Sequence, residues 1–332
     1  MSVATHPIAE PFFLDCDTGI DDCLAIAYLI GRGVNLVGVG TVSGNTSAAE
    51  AAENTARFLG ALGRTDIPIA VGAHHPLDGV FAGTVAFVHG ENGIGDVDLP
   101  AVDATRVDTS AAQLLVDLAR QNPGTLKVLA IGPLTNLAIA FALEPRLPEL
   151  IGELTIMGGA ALAPGNATAA AEANIYKDPV AAHTVLTSGF NTILVPLDVT
   201  MEHTVGAAEQ ARLSASNQPG LRALGAMLDT YLDFYIGVYG ERRASLHDPL
   251  AAAIATGDVS LSLAPEASVV VETGRGPARG QTVVDLRGRY RNYALSVSAG
   301  ALSRVVLEVP ADAADTIMTV IERIDAPAAP AA

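Results

Sequence analysis

The amino-acid sequence predicts an α/β fold, with a mainly parallel central sheet covered by helices on both faces. Short apolar segments of strand length alternate with longer segments of helical periodicity through most of the chain. The strand-like segments are almost continuously apolar, which is typical of parallel strands buried on both faces. Hydrophobic residues make up 50% of the 332 residues, so a large core can form.

The first two thirds of the chain carry the regular part of this alternation. Strands are predicted over residues 12–14, 34–42, 67–71, 126–131, 154–157 and 192–197. Helices are predicted from a first turn that contains Asp21 and Asp22, from Asn136 onward, and over residues 47–62, 110–120 and 179–186. The segment 72–108 has no clear periodicity, and a stretch of this length is typical of a functional loop.

The C-terminal third is less regular. Helices are predicted over residues 221–239 and 312–324 and from residue 246 onward, and strands over 269–272 and 282–286. No internal repeat or interdomain linker interrupts the pattern, so we expect one domain over residues 1–325. Residues 326–332 are Ala and Pro only, and we expect them to be disordered.

Charge and hydropathy limit the partners and the compartment. The net charge of −17, from 36 acidic and 19 basic residues, predicts repulsion from nucleic acid polymers and anionic membranes and favours a small neutral or cationic substrate. No apolar run has membrane-spanning length, and the N-terminus lacks the pattern of a signal peptide. Cys16 and Cys23 provide no disulfide framework. We therefore expect a cytoplasmic protein.

A crowded acidic loop follows the first strand. Asp15, Asp17, Asp21 and Asp22 lie within eight positions, with Gly19 between them. Like charges at this spacing repel strongly and resist ionisation unless they share a cation. The dipole of the following helix can account for Asp21 and Asp22, but not for the other two. All the candidate ligands are hard oxygens, so Ca²⁺ or Mg²⁺ is favoured over zinc.

Polar residues also follow the other predicted strands. They are Asn45, the segment 132–136, Asn166, Glu172, Asn174 and Asp198. In an open, Rossmann-like core, ligands bind beyond the carboxyl ends of the strands, so these side chains should converge. Turn formation explains any one of them, whereas the set beside a cation loop favours a polyol site. Glu172 and Asn174 would face the same side of an extended segment.

Two histidines stand beside this set. His247, Asp248 and Pro249 open a predicted helix, where the carboxylate could complete a metal shell and the imidazole could supply a proton. The alternative is an ordinary helix start, with Asp248 as the cap. His89, between Val88 and Gly90, could contact a ligand or simply pack.

The acidic octet of residues 15–22 closely resembles the signature of the nucleoside hydrolases. Further similar motifs occur in the same order along the chain, at residues 42–45, 89–93, 131–136, 157–159, 165–168, 172–174 and 247–249. The family usually has Pro at the position of Thr18, an exchange that affects the stiffness of the loop but leaves every carboxylate in place.

The resemblance implies a Ca²⁺-dependent enzyme that cleaves the N-glycosidic bond of ribonucleosides to ribose and free base. It implies that the ion is held by Asp17, Asp22, Asp248 and the carbonyl of Ile131. Asp17 would also be the general base towards a metal-bound water. A bound metal makes water more acidic, and direct attack by water would invert the anomeric centre.

The resemblance also assigns the substrate contacts. Asp21, Asn45 and Asn174 would bind the ribose 2′- and 3′-hydroxyls, with Asn166 and Glu172 on the 5′-hydroxyl and His89 near the ligand. His247 would help the base to depart, and Asp15 would support the ligands. The carboxylates would stabilise the positive charge that develops on the sugar.

The identity of the base is less constrained. Purine-specialised members of the family hold the base between tryptophans, and this chain has no Trp. His247 instead resembles members that act on inosine, uridine or cytidine. Tyr235 and Tyr239, at i,i+4 spacing, match positions that line the base pocket in those members, although the same spacing fits an ordinary helix face. Family members are usually homodimers or homotetramers.

Two other classes remain open from the sequence. An aspartyl-nucleophile phosphatase would use Asp15 in a strand followed by Asp-x-Asp and would bind Mg²⁺, but Gly19 stands where Thr or Val is expected and the pair Asp21-Asp22 is surplus. A non-catalytic Ca²⁺-dependent sugar or nucleoside binder would use the same ion and Asn residues without a proton donor.

Overall fold

A nine-stranded sheet forms the centre of the molecule. The structure, a computed structural model, describes residues 7–289 and 301–325. The strands, in chain order, are β1 Ile8–Cys16, β2 Val34–Thr41, β3 Ile69–Val71, β4 Leu126–Ala130, β5 Ile151–Met157, β6 Thr192–Val195, β7 Thr204–Gly206, β8 Arg243–Ser245, β9 Glu266–Val271, β10 Thr282–Val284 and β11 Leu302–Val305. The order across the large sheet is β10-β9-β11-β6-β5-β4-β1-β2-β3, while β7 and β8 pair separately.

The large sheet is mainly parallel. Across the sheet, all neighbouring strands in the series β3-β2-β1-β4-β5-β6-β11 pair in parallel. Strand β9 runs antiparallel to both of its neighbours, β11 and β10. The strand order reverses between β1 and β4, which lie side by side with their carboxyl ends at the same edge. Such a reversal opens a crevice at the strand ends, where ligands bind in doubly wound sheets.

Helices cover both faces of the sheet. They are α1 Ile20–Arg32, α2 Ala48–Ala61, α3 Ala86–His89, α4 Ala111–Gln121, α5 Thr135–Leu143, α6 Leu147–Leu150, α7 Ala173–Lys177, α8 Pro179–Leu186, α9 Leu197–Thr200, α10 Ala207–Ser214, α11 Pro219–Tyr239, α12 His247–Ala255 and α13 Ala313–Glu322. Alternate residues of β1 enter different cores: Phe12 and Leu14 pack with α1, α11, α12 and α13, and Phe13 packs with α4, α5 and α8. Side chains alternate across a strand, so these cores lie on opposite faces.

The predicted α/β architecture is confirmed, with errors at element boundaries and several short elements that were not predicted. β1 begins at Ile8 rather than residue 12, because pairing with β2 extends it beyond its apolar part. The strand predicted over 192–197 ends at Val195, and Asp198 lies in the short helix α9. The segment 72–108 contains helix α3. Helix α10 and strands β7, β8 and β11 were not predicted, since each is short.

The extended conformation predicted for residues 172–174 is wrong. Glu172 is the N-cap of α7, and its carboxylate accepts hydrogen bonds from the backbone N–H groups of Asn174 at 2.8 Å and Ile175 at 3.1 Å. Capping competes successfully with extension here because the carboxylate satisfies N–H groups that the helix start leaves unpaired.

Other predictions concern parts or properties that the fold does not test. The single domain over 1–325 stays a prediction, and the tail 326–332 lies outside the described residues. Among the helices of residues 7–289 and 301–325, none has the length and apolar character needed to cross a membrane.

Candidate active site

The acidic loop connects β1 to α1 at the strand-order reversal. The Asp22 carboxylate folds back over the loop and accepts hydrogen bonds from the backbone N–H groups of Asp17 at 3.2 Å and Gly19 at 2.7 Å. Gly19 leaves room for its neighbours, because a Cβ there would lie 2.7 Å from His89 Nδ1. The loop is therefore held by its own carboxylate and by the absence of a side chain at Gly19.

Thr18 ties this loop to α2. Its hydroxyl lies 2.7 Å from the hydroxyl of Thr55, which itself donates to the Ala51 carbonyl at 2.7 Å. A hydroxyl has one hydrogen, so Thr18 is the donor in the first bond. A hydrogen bond thus restrains the loop at Thr18, the position where the similar family usually has proline.

Three buried carboxylates meet beside the loop. Asp21, Asp22 and Asp248 offer oxygens that lie within 4.8 Å of one another. Asp248 reaches this point from the first turn of α12, far along the chain from the other two. Burial and the neighbouring carboxylates raise the pKa of both Asp22 and Asp248 well above the ordinary value. Assembling these groups without a cation is unfavourable.

The donor set fits a hard divalent cation. All the available ligand atoms are carboxylate oxygens, as Ca²⁺ and Mg²⁺ prefer. Asp21 Oδ1 is buried and has no hydrogen-bond partner among the described residues. A buried anionic oxygen without a partner is costly, and a bound cation would satisfy it. The raised pKa values of Asp22 and Asp248 and the unpaired oxygen of Asp21 all favour a cation bound among the three carboxylates.

Asp17 lies next to this cluster but makes different contacts. Its carboxylate accepts from the backbone N–H of Asn45 at 2.7 Å and from Asn45 Nδ2 at 3.2 Å. Lys177 Nζ lies 3.4 Å from Asp17 Oδ2. Burial raises the pKa of Asp17, and the Lys177 ammonium opposes that shift. A Cβ at Gly44 would collide with the Asp17 carboxylate, so glycine is required at this approach.

Asn45 links Asp17 to the cluster of three carboxylates. Its Nδ2 contacts Asp17 Oδ1 at 3.2 Å and Asp22 Oδ2 at 3.4 Å, which brings those two carboxylates to one amide. The Ile131 carbonyl, at the end of β4, accepts a hydrogen bond from Asn174 Nδ2 at 3.0 Å. The structure therefore brings Asp17, Asp22, Asp248 and Ile131 to the same edge of the sheet, with Ile131 already bonded to Asn174.

Asp15 lies behind these groups. It is fully buried, and its Oδ1 accepts a hydrogen bond from Asn136 Nδ2 at 2.8 Å. Burial raises the pKa of Asp15 to about 8. Asn136 also accepts from the backbone N–H of Ala73 at 2.9 Å, so the pair connects β1 to the loop after β3. Asp15 does not line the cavity, and neither do Asp17 and Asp22. Asp15 differs from those two in that its carboxylate bonds to the buried Asn136 and not to Asn45 on the cavity wall.

A cavity of about 750 Å³ opens above the acid site. The predicted residues on its wall are Asp21, Asn45, His89, Ile131, Asn166, Glu172, Asn174, Tyr235, His247 and Asp248. Glu172 is held by the backbone N–H of Gly159 at 3.0 Å in addition to its capping bonds. Asn166 Oδ1 accepts from the backbone N–H of Ala173 at 2.9 Å. These two residues are thus fixed by the start of α7.

The aromatic part of the cavity wall contains two histidines, and one of them, His89, lies against the acidic loop, with its Nδ1 4.0 Å from Asp21 Oδ1. His247 Nε2 lies 2.7 Å from the Tyr235 hydroxyl, and His247 Nδ1 lies 2.7 Å from the Thr200 hydroxyl. Burial lowers the pKa of His247 to about 4. His89 stacks on Tyr231 with ring centroids 5.7 Å apart, and burial lowers its pKa to about 3. Both imidazoles are therefore neutral near pH 7.

Tyr239 differs from Tyr235 in its surroundings. Its ring stacks on that of Tyr235, but its hydroxyl donates to the Met201 carbonyl at 2.8 Å, and Tyr239 is absent from the cavity wall formed by the described residues. Tyr231 and Phe234 line the cavity instead. The i,i+4 spacing that singled out Tyr235 and Tyr239 also contains Tyr231, so periodicity could have found it.

Lys177 is a site residue that no pattern in the sequence indicated. It ends α7 and lines the cavity. A single lysine in a helix is ordinary in sequence, and only the tertiary contact with Asp17 distinguishes it.

Comparisons with known proteins agree with this geometry. The family model described as inosine-uridine preferring nucleoside hydrolase matches residues 12–328. A relative from Arabidopsis thaliana, described as probable uridine nucleosidase 2, is 34% identical over 320 residues, covering 95% of this chain and 97% of the relative.

Two solved structures share the fold over nearly the whole chain. A plant nucleoside hydrolase has a TM-score of 0.88 at 28% identity, with 96% of this chain and 100% of the other covered. A purine-preferring ribonucleoside hydrolase from Gardnerella vaginalis has a TM-score of 0.87 at 30% identity, with 95% and 99% covered. The chain belongs to the inosine-uridine preferring nucleoside hydrolase family and is an N-ribohydrolase that cleaves ribonucleosides.

Proposed function

We propose that the protein hydrolyses ribonucleosides in a Ca²⁺-dependent reaction and favours pyrimidine nucleosides and inosine. The observation that carries the proposal is the meeting of Asp21, Asp22 and Asp248, of which Asp21 and Asp248 line a cavity that also has His247 on its wall. Asp17 and Asp22 are fully buried directly behind that wall, in contact with the lining residue Asn45. The family assignment supplies the bond that is cleaved. The arrangement separates a charged end, suited to the sugar, from an aromatic end, suited to the base.

Asp17, Asp22, Asp248 and the Ile131 carbonyl would hold the ion in this proposal. Ca²⁺, when bound, would lower the pKa of the attacking water and offer coordination to the sugar hydroxyls. Asp21 would have to turn towards a hydroxyl or share the ion, since its oxygens already lie with those of Asp22 and Asp248. Its unpaired Oδ1 is free for either contact.

Asp17 would act as the general base. Its burial raises the pKa of the carboxyl, which makes the carboxylate a stronger base than an exposed aspartate. Attack by water, without a protein nucleophile, would invert the anomeric carbon. The surrounding carboxylates would stabilise the positive charge that develops on the ribose ring as the base leaves.

His247 would assist departure of the base. Because its pKa is lowered to about 4, it would act near pH 7 as a neutral hydrogen-bond donor rather than as a cation. Its two ring nitrogens contact the hydroxyls of Tyr235 and Thr200, which orient the ring so that an N–H could donate a hydrogen bond to the departing base.

The sugar would bind at the charged end of the cavity and the base at the aromatic end. Asn45 and Asn174, together with Asp21, would bind the 2′- and 3′-hydroxyls, and Asn166 and Glu172 the 5′-hydroxyl. Tyr235, together with His89, would border the base. Tyr239 would act through its stack on Tyr235, since its hydroxyl is bonded away from the cavity.

A nucleoside panel with and without chelator tests the proposal. Release of reducing sugar should be faster with uridine, cytidine and inosine than with adenosine. It should stop after chelation and return with Ca²⁺ more fully than with Mg²⁺. Strong preference for adenosine would refute the base assignment, which the uridine nucleosidase relative supports and the purine-preferring structure does not. Full activity after exhaustive chelation would refute the cation requirement.

We further propose a cytoplasmic homodimer or homotetramer. Size-exclusion chromatography with light scattering should give two or four times the mass of 33.9 kDa, and a monomer would contradict this.

A further inference from the structure

Lys177 supplies a positive charge at the acid site. Its Nζ lies 3.4 Å from Asp17 Oδ2 and 2.9 Å from Asn45 Oδ1. In the part of the chain that the structure describes, it is the only lysine or arginine paired with Asp17, Asp22 or Asp248. The side chain is 20% exposed, on the wall of the cavity.

The same contacts set the orientation of Asn45. An ammonium group has only donors, so the Asn45 atom that faces Lys177 must be the amide oxygen. The amide nitrogen is then turned to Asp17 Oδ1 and Asp22 Oδ2. Lys177 therefore holds an amide whose donors point at two carboxylates.

Asp17 makes three polar contacts in this arrangement. Its Oδ2 accepts from the Asn45 backbone N–H and faces Lys177, and its Oδ1 accepts from Asn45 Nδ2. A cation coordinated by Asp17 would repel the ammonium that lies 3.4 Å from Oδ2. Binding of the ion and contact with Lys177 are therefore in competition for Asp17.

We propose that Lys177 is a positioning residue that lowers the affinity of this site for its divalent cation and holds Asp17 and Asn45 in place when the cation is absent. The proposal rests on the cation site of the proposed function. The ammonium partly neutralises the buried carboxylates, so it stabilises the protein without the ion and opposes entry of the ion. Replacing Lys177 by an uncharged side chain should destabilise the ion-free protein and strengthen binding of the ion.

The affinity for Ca²⁺ tests this directly. Isothermal titration of CaCl₂ into the chelator-treated full chain would compare the wild type with Lys177→Met and Lys177→Gln. The dissociation constant should fall about tenfold or more in both variants, because one positive charge close to the ion is removed. Lys177→Arg retains the charge, and its dissociation constant should stay within about threefold of the wild type.

The chain offers a matched control. Lys127 and Lys177 are its only two lysines. Lys127 lies over the Phe12 ring and near the Ala255 carbonyl, away from the carboxylates. Lys127→Met removes a lysine charge in the same way, but away from the carboxylates, so it should leave the dissociation constant for Ca²⁺ unchanged.

Thermal unfolding provides a second measurement. Without Ca²⁺, the unfolding temperature of Lys177→Met should lie below that of the wild type, because the carboxylates lose their counter-charge. The rise on adding saturating Ca²⁺ should be larger in the variant. A merely structural role would lower both temperatures equally and leave the dissociation constant unchanged.

The outcomes separate the two proposals. If the wild type binds one Ca²⁺ and Lys177→Met and Lys177→Gln bind it with equal or weaker affinity, the role of Lys177 is refuted and the cation site stands. If neither the wild type nor Lys177→Met binds Ca²⁺, the cation site itself is refuted, and the role of Lys177 with it.

Discussion

The buried polar groups at the two ends of the cavity differ in how far their hydrogen bonds and charges are satisfied. At the acid end, Asp22 and Asp248 are buried with raised pKa values and Asp21 Oδ1 has no partner. At the aromatic end, His247 has a hydroxyl at each ring nitrogen and stays neutral. The carboxylates at the acid end could bind a cation in addition to the Lys177 ammonium, whereas the hydrogen bonds of His247 at the aromatic end are satisfied within the chain.

The acid end should therefore be the more sensitive to substitution. Asp17→Asn keeps the size of the side chain and removes the proposed base, so kcat should fall by about three orders of magnitude. Steady-state kinetics with uridine and inosine would measure this, with Ca²⁺ occupancy checked by calorimetry. Near-normal turnover at full occupancy would exclude Asp17 as the base.

Substitution of His247, the proposed hydrogen-bond donor at the aromatic end, should have a smaller and more selective effect. His247→Asn should lower kcat by about two orders of magnitude. The loss should be greatest for nucleosides whose base is a poor leaving group without a hydrogen bond or proton. Comparison of kcat for uridine and inosine with kcat for a nucleoside bearing an activated, aryl leaving group would test it. An equal loss for all of them would indicate a structural role for His247.

The two stacked tyrosines allow a finer comparison within the aromatic end. Tyr235→Phe removes the hydroxyl that contacts His247 Nε2 and should lower kcat by about tenfold, which corresponds to one hydrogen bond. Tyr239→Phe is the matched control, because its hydroxyl bonds to Met201 and Ser245 instead. It should leave kcat within about twofold and lower the stability of the fold by about 1 kcal/mol. Equal kinetic effects would contradict the distinction between these residues.

The smallest expected effect concerns the support of the acidic loop. Thr18→Val removes the hydroxyl that donates to Thr55 and should decrease the free energy of unfolding by about 1 kcal/mol. Urea denaturation of the chelator-treated protein would measure this, with Ser47→Ala on α2 as a comparison at an exposed helix cap. No change in stability would show that the hydrogen bond does not restrain the loop.

The strand ends were the most predictable part of the site. The apolar strands and the polar residues that follow them repeat along the chain, and parallel strands bring their carboxyl ends to one edge. This is sufficient to predict that Asp17 and Asn45 come together, and in the structure they are in contact. The same logic did not extend to residues 172–174, where a buried carboxylate that caps α7 replaced the expected extension.

The amino-acid sequence by itself determined the fold class and the acidic loop, because periodicity and the clustering of charges are local properties, and the motifs that resemble the family indicated part of the cavity wall. Only the tertiary structure decided that Asp21 lies with Asp22 and Asp248, that Tyr231 rather than Tyr239 faces the cavity, and that Lys177 reaches Asp17. These contacts join residues far apart in the chain, and their geometry depends on how helices pack on the sheet, which no local pattern records.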